Sequence, residues 1–231
     1  MELFYDPEFT GQGILNEAES KHCINVLRHQ VGDEITVANG KGQYYKCRIA
    51  QAHPKKCALE LIETTHFDKP THSLHLAVAP TKSIDRFEWL IEKAMELGLD
   101  EITPLLCHHS ERKKVRTDRI ERVVIAAMKQ SLKAHLPKIN ELTPFDTFLK
   151  SKDNTTGYIA HCYNSEKQAL KTAYRPHSDC IICIGPEGDF SEDEIEAALR
   201  HEFIPVSLGQ SRLRTETAGL IACHTIHLIN E

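Results

Sequence analysis

Short apolar runs alternate with amphipathic stretches in the second part of the chain, after about residue 73. Where apolar residues recur at i, i+3, i+4 and i+7, as in Phe87, Leu90, Ile91 and Ala94, the pattern predicts a helix with one buried face. The apolar runs predict buried strands at Leu74–Ala79, Ile102–Leu106, Gly157–Cys162, Ile181–Ile184 and Phe203–Leu208. The predicted helices cover 83–97, 117 to about 135, 166–173, a stretch from 191, and 215 to about 229. Alternating strands and helices indicate an α/β domain.

The first part of the chain has short alternating segments and few helices. Strands are predicted for Glu34–Ala38, Tyr44–Ala50 and Cys57–Ile62, with turns between them, and one helix is predicted for 17–29. A small unit of this kind favours a compact barrel. The polar stretch Thr65–His72 is the predicted boundary, which gives a β-rich domain over residues 1–70 and an α/β domain over residues 71–231.

The composition is that of an ordinary globular protein, with 41% hydrophobic and 26% charged residues in a chain of 231. No apolar run reaches the roughly 20 residues that a membrane helix needs. The N-terminus lacks the basic and apolar regions of a signal peptide. The eight cysteines have no disulfide-scaffold spacing and mostly lie in apolar runs, which is typical of reduced thiols. We therefore expect a cytoplasmic protein that does not associate with membranes.

The charge of the chain is unevenly distributed. A net charge of −5 alone disfavours binding to nucleic acid. Between His108 and Lys138, however, nine basic and three acidic residues give the segment a net charge of +6. A concentrated basic patch is a better signal for phosphate binding than the overall charge. The alternative is a solvated helix face on which these residues form ion pairs.

Two turns of the same kind lie close together near the C-terminus. One apolar run stops at Gly185–Gly188 and the next stops at Gly209, and helices follow from Ser191 and Thr215. Ser191 and Glu194 occupy the positions of a capping box. Two such turns form a crevice at the carboxyl edge of a sheet, where α/β folds bind ligands, and unpaired amides at both helix starts suit an anion. This crevice is the predicted active site, and the alternative is two ordinary strand-to-helix turns.

The chain lacks a Walker lysine and a G-x-G-x-x-G motif, which disfavours phosphoryl transfer and a standard dinucleotide fold. Ile-Gly-Pro-Glu-Gly at Ile184–Gly188 and Leu-Gly-x-x-x-Leu-Arg-Thr-Glu-Thr-Ala at Leu208–Ala218 instead resemble a family signature. They are similar to the C-terminal motifs of the bacterial small-subunit (16S) rRNA uridine N3-methyltransferases, the RsmE type of the SPOUT class of trefoil-knot enzymes. The sequence departs from the family at Asp189, where a second glycine is usual.

Two further segments resemble the same family. Ser110-Glu111-Arg112 matches a Ser-Glu-Arg segment. The stretch Lys129–Lys133 keeps the Gln-Ser core of the family's Glu-Gln-Ser-x-Arg but changes both flanking charged positions. Lys133 keeps a positive charge without the bidentate geometry of arginine.

The resemblance implies a PUA-like RNA-binding barrel over residues 1–70 and a knotted α/β methyltransferase domain over residues 71–231. It implies methylation of N3 of a specific uridine in small-subunit rRNA, free or in the assembled small ribosomal subunit. The enzyme would be a homodimer with S-adenosylmethionine as its cofactor. The cofactor-binding residues implied are Ile184, Gly185, Glu187, Gly188, Leu208, Gly209, Leu213, Thr217 and Ala218.

The implied chemistry needs a positioned nucleophile and loss of the uracil N3 proton, because a sulfonium methyl group is already activated. Arg214 is the predicted essential side chain, for a target phosphate or a uracil carbonyl, with an ion pair to Glu216 or Glu187 as the alternative. Glu187 and Glu216 are the carboxylates in the signature that can accept a proton, although helix capping or cofactor binding is favoured for both. The predicted RNA-binding residues are Arg112, Lys113, Lys114, Gln130 and Lys133.

Other functions are compatible with parts of the sequence. His108-His109, His161-Cys162 and Cys180-x-x-Cys183 suggest metal ligands. Adjacent histidines rarely bind one ion, however, and a Cys-x-x-Cys in a strand points its thiols to opposite faces, so we expect no metal. One alternative is a related knotted enzyme with another base or a ribose hydroxyl as target. The other is a non-catalytic RNA-binding module that has lost the cofactor, which calorimetry with S-adenosylmethionine distinguishes from an enzyme.

Overall fold

The computed structural model describes residues 2–231, which form two compact units. The first extends to Lys69 and also includes Ile125–Leu136, and the second consists of Pro70–Val124 and Pro137–Glu231. The division after Lys69 falls inside the polar stretch predicted as a boundary. The sequence pattern did not indicate that residues 125–136 belong with the first unit.

The first unit is built on one five-stranded sheet. Its elements are β1 (Leu3–Tyr5), β2 (Gly13–Ile14), α1 (Glu17–Lys21), a π-helical turn (His22–Val26), β3 (Glu34–Ala38), β4 (Gln43–Gln51) and β5 (Ala58–His66). The strand order is β1-β3-β4-β5-β2, with β1 parallel to β3 and the other pairs antiparallel. Alternate residues such as Ile35 and Val37 face a core shared with Cys47 and Ile49, as expected for strands that bury one face.

The three strands predicted for this unit are confirmed, and β5 continues past the predicted end at Ile62. The helix predicted over 17–29 is shorter than expected. Asn16 caps α1 by accepting the N–H of Glu19, but α1 passes into the π-helical turn and the chain leaves the helix before Arg28, which has a φ of 61°. A non-glycine residue with positive φ ends a right-handed helix.

The second unit contains a larger parallel sheet. Its strands are β6 (Leu74–Val78), β7 (Glu101–Leu106), β8 (Lys138–Ile139), β9 (Thr143–Pro144), β10 (Thr156–Ala160), β11 (Gln168–Ala169), β12 (Cys180–Ile184) and β13 (Ile204–Ser207). The remaining helices are α2 (Ile84–Glu96), α3 (Thr117–Gln130), α4 (Phe145–Ser151), α5 (Leu170–Ala173), α6 (Glu192–Arg200) and α7 (Thr215–Asn230). The C-terminal part of α3 belongs to residues 125–136 of the first unit.

The strands of this sheet pair in the order β11-β13-β10-β12-β6-β7-β8, with β9 also paired to β7, and every pair is parallel. All five residues of Cys180–Ile184 are buried. A parallel sheet covered on both faces gives continuous apolar runs, which is why its main strands were predictable. The α/β class is thereby confirmed. None of the helices within residues 2–231 combines the length and the apolar composition needed to cross a membrane.

Two predicted helices of this part of the chain have different bounds in the structure. The helix predicted to reach about His135 ends at Gln130, because Leu132 takes a φ of 54° and the N–H of Lys133 bonds to the carbonyl of Met128. Glycine usually provides such a helix end, so a leucine there gives no signal. The helix predicted from Glu166 begins only at Leu170, because Gln168–Ala169 pairs with β13.

The ends of α2 were partly predicted. Gly98, with a φ of 96°, follows the last turn, and its N–H bonds to the carbonyl of Met95, as expected for a C-terminal glycine. Ser83 occupies the N-cap position, but its side chain makes no capping bond. The sequence pattern did not predict the short elements β8, β9 and α4, because elements this short carry too little periodicity to be recognised.

Candidate active site

Three neighbouring strands of the second unit end at one pocket. β10 lies between β13 and β12 in the sheet, and the residues that follow all three strands line a pocket of about 920 Å³. Ligands of open α/β sheets bind at this carboxyl edge, and the volume suits a small organic molecule. The sequence pattern had located two of the three loops.

The loop after β12 forms a closely packed wall. Gly185 is buried, and a side chain there would lie 3.0 Å from the backbone nitrogen of Phe190. Asp189 has a φ of 65°. Its carboxylate accepts the N–H of Cys162 at 2.7 Å and the N–H of Phe190 at 2.8 Å. Positive φ favours glycine, so the loop keeps a glycine-like conformation at the position where the sequence departs from the family.

The loop after β10 was missed by sequence reasoning. His161, Cys162, Tyr163 and Lys167 line the pocket from this loop. The ammonium of Lys167 donates to the carbonyl oxygens of His161 at 2.9 Å and Tyr163 at 2.6 Å. The segment contains no glycine and no motif. The one sequence signal for this loop is that an apolar run ends there, as two later apolar runs end in glycine loops.

His161 is a buried polar residue of this middle loop. Its side chain is 8% exposed, and neither ring nitrogen has a hydrogen-bond partner in the described chain. Burial and the Lys167 ammonium lower the pKa of His161, against an opposing effect of Asp189. The ring is therefore neutral near pH 7. Cys162 is exposed, but partial desolvation and the neighbouring Asp189 carboxylate raise the pKa of its thiol, so this thiol is protonated and a poor nucleophile.

The loop after β13 is exposed and makes few hydrogen bonds within the protein. Gly209 has a φ of 125°, and the Ser207 hydroxyl accepts its N–H and donates to its carbonyl. The side chain of Arg214, at the N-cap of α7, makes no capping bond and is exposed. The hydroxyl of Thr215 donates to the carbonyl of Gly185 at 3.1 Å. This bond joins the loop after β13 to the loop after β12.

The two helix starts differ, contrary to the prediction that the amides of both are unpaired. At α6 the Ser191 hydroxyl accepts the N–H of Glu194, and the Glu194 carboxylate accepts the N–H of Ser191. This predicted capping box already pairs amides of the helix start, so the prediction of free amides is wrong there. At α7 no side chain caps the helix, and Thr215 and Ala218 of its first turn line the pocket. The amides available to a ligand are those of α7.

Most of the predicted cofactor residues lie at this pocket. Those that line it are Ile184, Gly185, Glu187, Gly188, Leu208, Gly209, Leu213 and Ala218, together with Arg214. Within residues 2–231, Thr217 and Glu216 are outside the lining. Glu216 is 8% exposed and pairs with Arg86 of α2 at 3.8 Å. Glu187 is exposed and accepts the N–H of Lys82 at 2.8 Å.

The alternative role considered for Arg214 was an ion pair with Glu187 or Glu216. No such pair exists among residues 2–231, because Glu216 pairs with Arg86 and Glu187 bonds to the backbone of Lys82. The guanidinium is therefore an exposed cation at the edge of the pocket.

The predicted RNA-binding residues fall in both units. Arg112, Lys113 and Lys114 belong to the second unit, whereas Gln130 and Lys133 belong to the first. The guanidinium of Arg112 donates to the carbonyl oxygens of Thr81 and Lys82. Lys113 and Lys114 are exposed.

Much of the basic segment forms ion pairs, as its alternative interpretation expected. The pairs are Arg116 and Arg122 with Asp118, Arg119 with Glu88, Lys129 with Glu19 and Lys138 with Glu101. Hydrogen bonds from the guanidinium groups of Arg116 and Arg122 lower the pKa of Asp118 to about 2. Within the part of the chain that the structure describes, Lys113, Lys114 and Lys133 have no such carboxylate partner and keep their full charge for another ligand.

The chemistry of the pocket fits a nucleoside. Ile184, Val206, Leu208 and Leu213 supply apolar walls, and the exposed backbone around Gly209 supplies hydrogen-bonding groups. In the described chain, residues 2–231, no group of three or more His, Cys, Asp or Glu side chains is arranged to hold a metal ion.

The fold and the pocket define a class, that of α/β enzymes that bind a nucleoside-type ligand at the carboxyl edge of a parallel sheet. The family model described as an RNA methyltransferase domain matches residues 68–227, and the one described as an RNA methyltransferase PUA domain matches residues 15–62. The chain belongs to this family of RNA methyltransferases. The resemblance, the presence of a PUA domain and the prediction of an RNA-methylating enzyme are thereby confirmed.

The relatives cover nearly the whole chain. The ribosomal RNA small subunit methyltransferase E of Rickettsia conorii is 29% identical over 219 residues, which are 92% of this chain and 89% of the relative. A probable rRNA-methyltransferase from Porphyromonas gingivalis has a solved structure with 39% identity and a TM-score of 0.93, covering 100% of this chain and 98% of that one. The structure of a ribosomal RNA small subunit methyltransferase E from Neisseria gonorrhoeae, bound to S-adenosyl methionine, has 25% identity, a TM-score of 0.89 and the same coverage.

Proposed function

We propose that the protein transfers the methyl group of S-adenosylmethionine to N3 of a uridine in small-subunit rRNA. The observation that carries this proposal is the pocket at the ends of β10, β12 and β13, together with the cofactor bound in the related Neisseria structure. By their names, the curated relatives act on small-subunit ribosomal RNA. The resemblance of Leu208–Ala218 to the uridine N3 enzymes supports the choice of atom.

In this proposal the cofactor is held mainly by loop backbone and apolar side chains. S-adenosylmethionine supplies, when bound, a methyl group activated on a sulfonium. The residues that would hold it are Ile184, Gly185, Glu187, Gly188, Leu208, Gly209, Leu213 and Ala218, which line the pocket, and Thr217, which the resemblance adds from outside the lining. The uncapped amides at the start of α7 suit its carboxylate.

Arg214 is the residue that we propose acts on the RNA at the reaction centre. Its guanidinium is exposed at the edge of the pocket and unpaired within residues 2–231. It binds the target phosphate, or the uracil carbonyl as negative charge develops there. Of the two candidate acceptors for the N3 proton, Glu187 has the more suitable surroundings, because Glu216 is buried in its ion pair with Arg86.

RNA binding is proposed for Arg112, Lys113, Lys114, Gln130 and Lys133. The two exposed lysines of the second unit suit phosphate contacts. Arg112 uses two of its guanidinium donors on the loop of Thr81 and Lys82, which leaves donors for a phosphate. Gln130 is exposed and suits a base edge or a second subunit.

We further propose the finer features of the fold that the resemblance implies. Residues 1–70 form a PUA-like barrel, and residues 71–231 form a trefoil-knotted domain in which the loops at Gly185 and Gly209 tuck through one another. The bond between the Thr215 hydroxyl and the Gly185 carbonyl, which joins these loops, supports the knotted arrangement.

A homodimer that acts in the cytoplasm is part of the same proposal. The exposed apolar side chains Ile221 and Leu228 lie on α7, and Trp89, 43% exposed, lies on α2, which packs against α7. We propose that these side chains contribute to one interaction surface, as a contiguous exposed apolar patch would. A variant that is monomeric and fully active would contradict the dimer.

The test of this function is mass spectrometry of nucleosides from small-subunit rRNA of a strain that lacks the protein. We expect N3-methyluridine to be absent, and to return when the purified protein and S-adenosylmethionine are added to naked rRNA or to assembled subunits. The Arg214→Ala variant serves as the control for contaminating activity. An N3-methyluridine peak that is unchanged by the deletion would overturn the assignment, and a change in another nucleoside would identify a different target.

A further inference from the structure

We propose that Asp189 is a positioning residue that ties the loop after β10 to the loop after β12 and so holds the pocket in its ligand-binding shape. The inference rests on the proposed function, because it takes the ligand of this pocket to be S-adenosylmethionine. It concerns the middle wall of the pocket, which no motif in the sequence marks.

The first observation is the backbone of Asp189. A φ of 65° lies in the left-handed region, which is uncommon for residues other than glycine, although aspartate adopts it more often than most. Such a conformation persists where the surroundings over-determine it. Here the carboxylate accepts the N–H of Cys162 at 2.7 Å and that of Phe190 at 2.8 Å, and the carbonyl of Asp189 lies 3.1 Å from Nδ1 of His109. The residue is therefore held through both its side chain and its backbone.

The second observation is that the middle loop is held from two sides. Asp189 binds the amide of Cys162, and the Lys167 ammonium binds the carbonyl oxygens on either side of it, those of His161 and Tyr163. Hydrogen bonds to an ionised group are shorter and stronger than those between neutral groups. A carboxylate and an ammonium thus fix three consecutive residues of the pocket wall.

The third observation is that the side chain of His161 does not hold this loop in place. Both ring nitrogens are buried without a partner in the described chain, and an unsatisfied buried polar group costs free energy. The side-chain bonds that hold the loop come from Asp189 and Lys167 instead. A binding site whose wall is displaced by a fraction of an ångström loses affinity. The bond from Asp189 to Cys162 therefore affects the affinity for the ligand as well as the position of the loop.

The test compares Asp189→Gly and Asp189→Asn with the control Glu202→Gly. Glu202 follows α6, has a φ of 60° and lies outside the pocket lining, so its replacement changes backbone freedom in the same way. By calorimetry we expect Asp189→Gly to bind S-adenosylmethionine about tenfold more weakly than the unmodified protein. Asp189→Asn, which keeps one oxygen acceptor, should recover about half of the binding free energy that Asp189→Gly loses. Glu202→Gly should bind S-adenosylmethionine as tightly as the unmodified protein.

A second measurement is independent of the ligand. Without cofactor, the amide of Cys162 should exchange its hydrogen faster in Asp189→Gly than in the unmodified protein or in Glu202→Gly. If the unmodified protein binds the cofactor and Asp189→Gly binds it equally well, this inference is wrong while the proposed function stands. If the unmodified protein does not bind S-adenosylmethionine, both are wrong. A loss of affinity that asparagine does not rescue, with a much lower unfolding temperature than that of Glu202→Gly, would indicate a general structural role and overturn positioning.

Discussion

The turn after β12 and the turn after β13 both lead from a buried strand into a helix at the same pocket, but they are bonded in different ways. In the first, Gly185 packs on Phe190, Asp189 binds two amides, and Ser191 with Glu194 caps α6. In the second, Gly209 and the residues up to Arg212 are exposed, and α7 has no side-chain cap. One turn has many polar groups paired within the protein, whereas the other, apart from the bonds of Ser207 to Gly209 and of Thr215 to Gly185, leaves more of them for a ligand.

This difference indicates how a pocket of this kind combines stability with binding. A wall whose polar groups are already paired keeps its shape without a ligand. A helix start without a cap leaves amide donors that only water or a ligand can satisfy. Apart from Asp189, whose replacement should mainly weaken cofactor binding, substitutions in the first turn should therefore change stability most, and substitutions in the second turn should change activity most.

Replacement of Arg214, in the second turn, should have the largest effect. We expect Arg214→Ala to lower kcat about 100- to 1000-fold, because it removes a charged group aimed at charge that develops during the reaction. The side chain is exposed and unpaired within residues 2–231, so the unfolding temperature should hardly change. Single-turnover methylation of small-subunit rRNA, with calorimetry of the cofactor, measures both.

Arg212→Ala is the matched control, since Arg212 is an exposed arginine of the same loop and also lines the pocket. Arg212→Ala should lower kcat by less than about tenfold, because this cation only raises the local electrostatic potential. Equal losses in the two variants would mean that Arg214 acts through charge alone.

The glycines of the two turns provide the next comparison. Gly185→Ala should destabilise the protein by about 1–3 kcal/mol, because the added carbon would lie 3.0 Å from the backbone nitrogen of Phe190. At Gly209 nothing lies within 4 Å of the added carbon, but the φ of 125° disfavours a side chain, and we expect a loss of about 1 kcal/mol. Urea unfolding of both variants measures the two losses. A greater loss of stability in Gly209→Ala than in Gly185→Ala would show that the positive φ at Gly209 costs more than the close contact at Gly185.

Loss of the cap on α6 should have a smaller effect. Ser191→Ala removes the acceptor for the N–H of Glu194 and should destabilise the protein by about 1 kcal/mol. Cofactor affinity should stay within a factor of two, because Ser191 does not line the pocket in the described residues. A double-mutant cycle with Glu194→Ala, which removes the acceptor for the N–H of Ser191, measures the coupling of the two bonds, and additive losses would contradict the capping box as a unit.

The smallest expected effect concerns the middle loop. Burial, with the Lys167 ammonium, lowers the pKa of His161 in the folded state, against Asp189, and burial lowers that of His75, against Glu101. The unfolded chain therefore binds more protons than the folded one in the window below the ordinary histidine pKa of about 6.5, and stability should fall as the pH falls through it. Thermal unfolding between pH 7.5 and pH 5 measures the slope.

In His161→Asn this slope should be shallower, and the remaining slope should belong largely to His75. A slope that is unchanged by the substitution would mean that His161 titrates normally in the folded protein.

The site was predictable where a single segment carries its own signal. Gly185–Gly188, Leu208–Ala218 and the pair Ser191 and Glu194 are local patterns, and the structure contains the corresponding turns and the capping box. The place of the middle loop, His161–Tyr163, at the pocket was not predictable. It results from the position of β10 between two other strands of the sheet and not from a pattern in the loop itself. The helix end at Leu132 and the start at Leu170 were missed for a similar reason, since in each case an unusual backbone or a strand partner overrides the periodicity.

The sequence by itself determined the longer strands and most of the helices, because burial on one or both faces imposes a period on neighbouring residues. It also determined where glycine is needed, since backbone freedom and close approach are local requirements. Only the tertiary structure decided that β10 lies between β12 and β13, that Glu216 pairs with Arg86, and that Asp189 binds the amide of Cys162. These contacts join residues far apart in the chain, and their partners are chosen by packing of the whole sheet, which no single stretch of sequence contains.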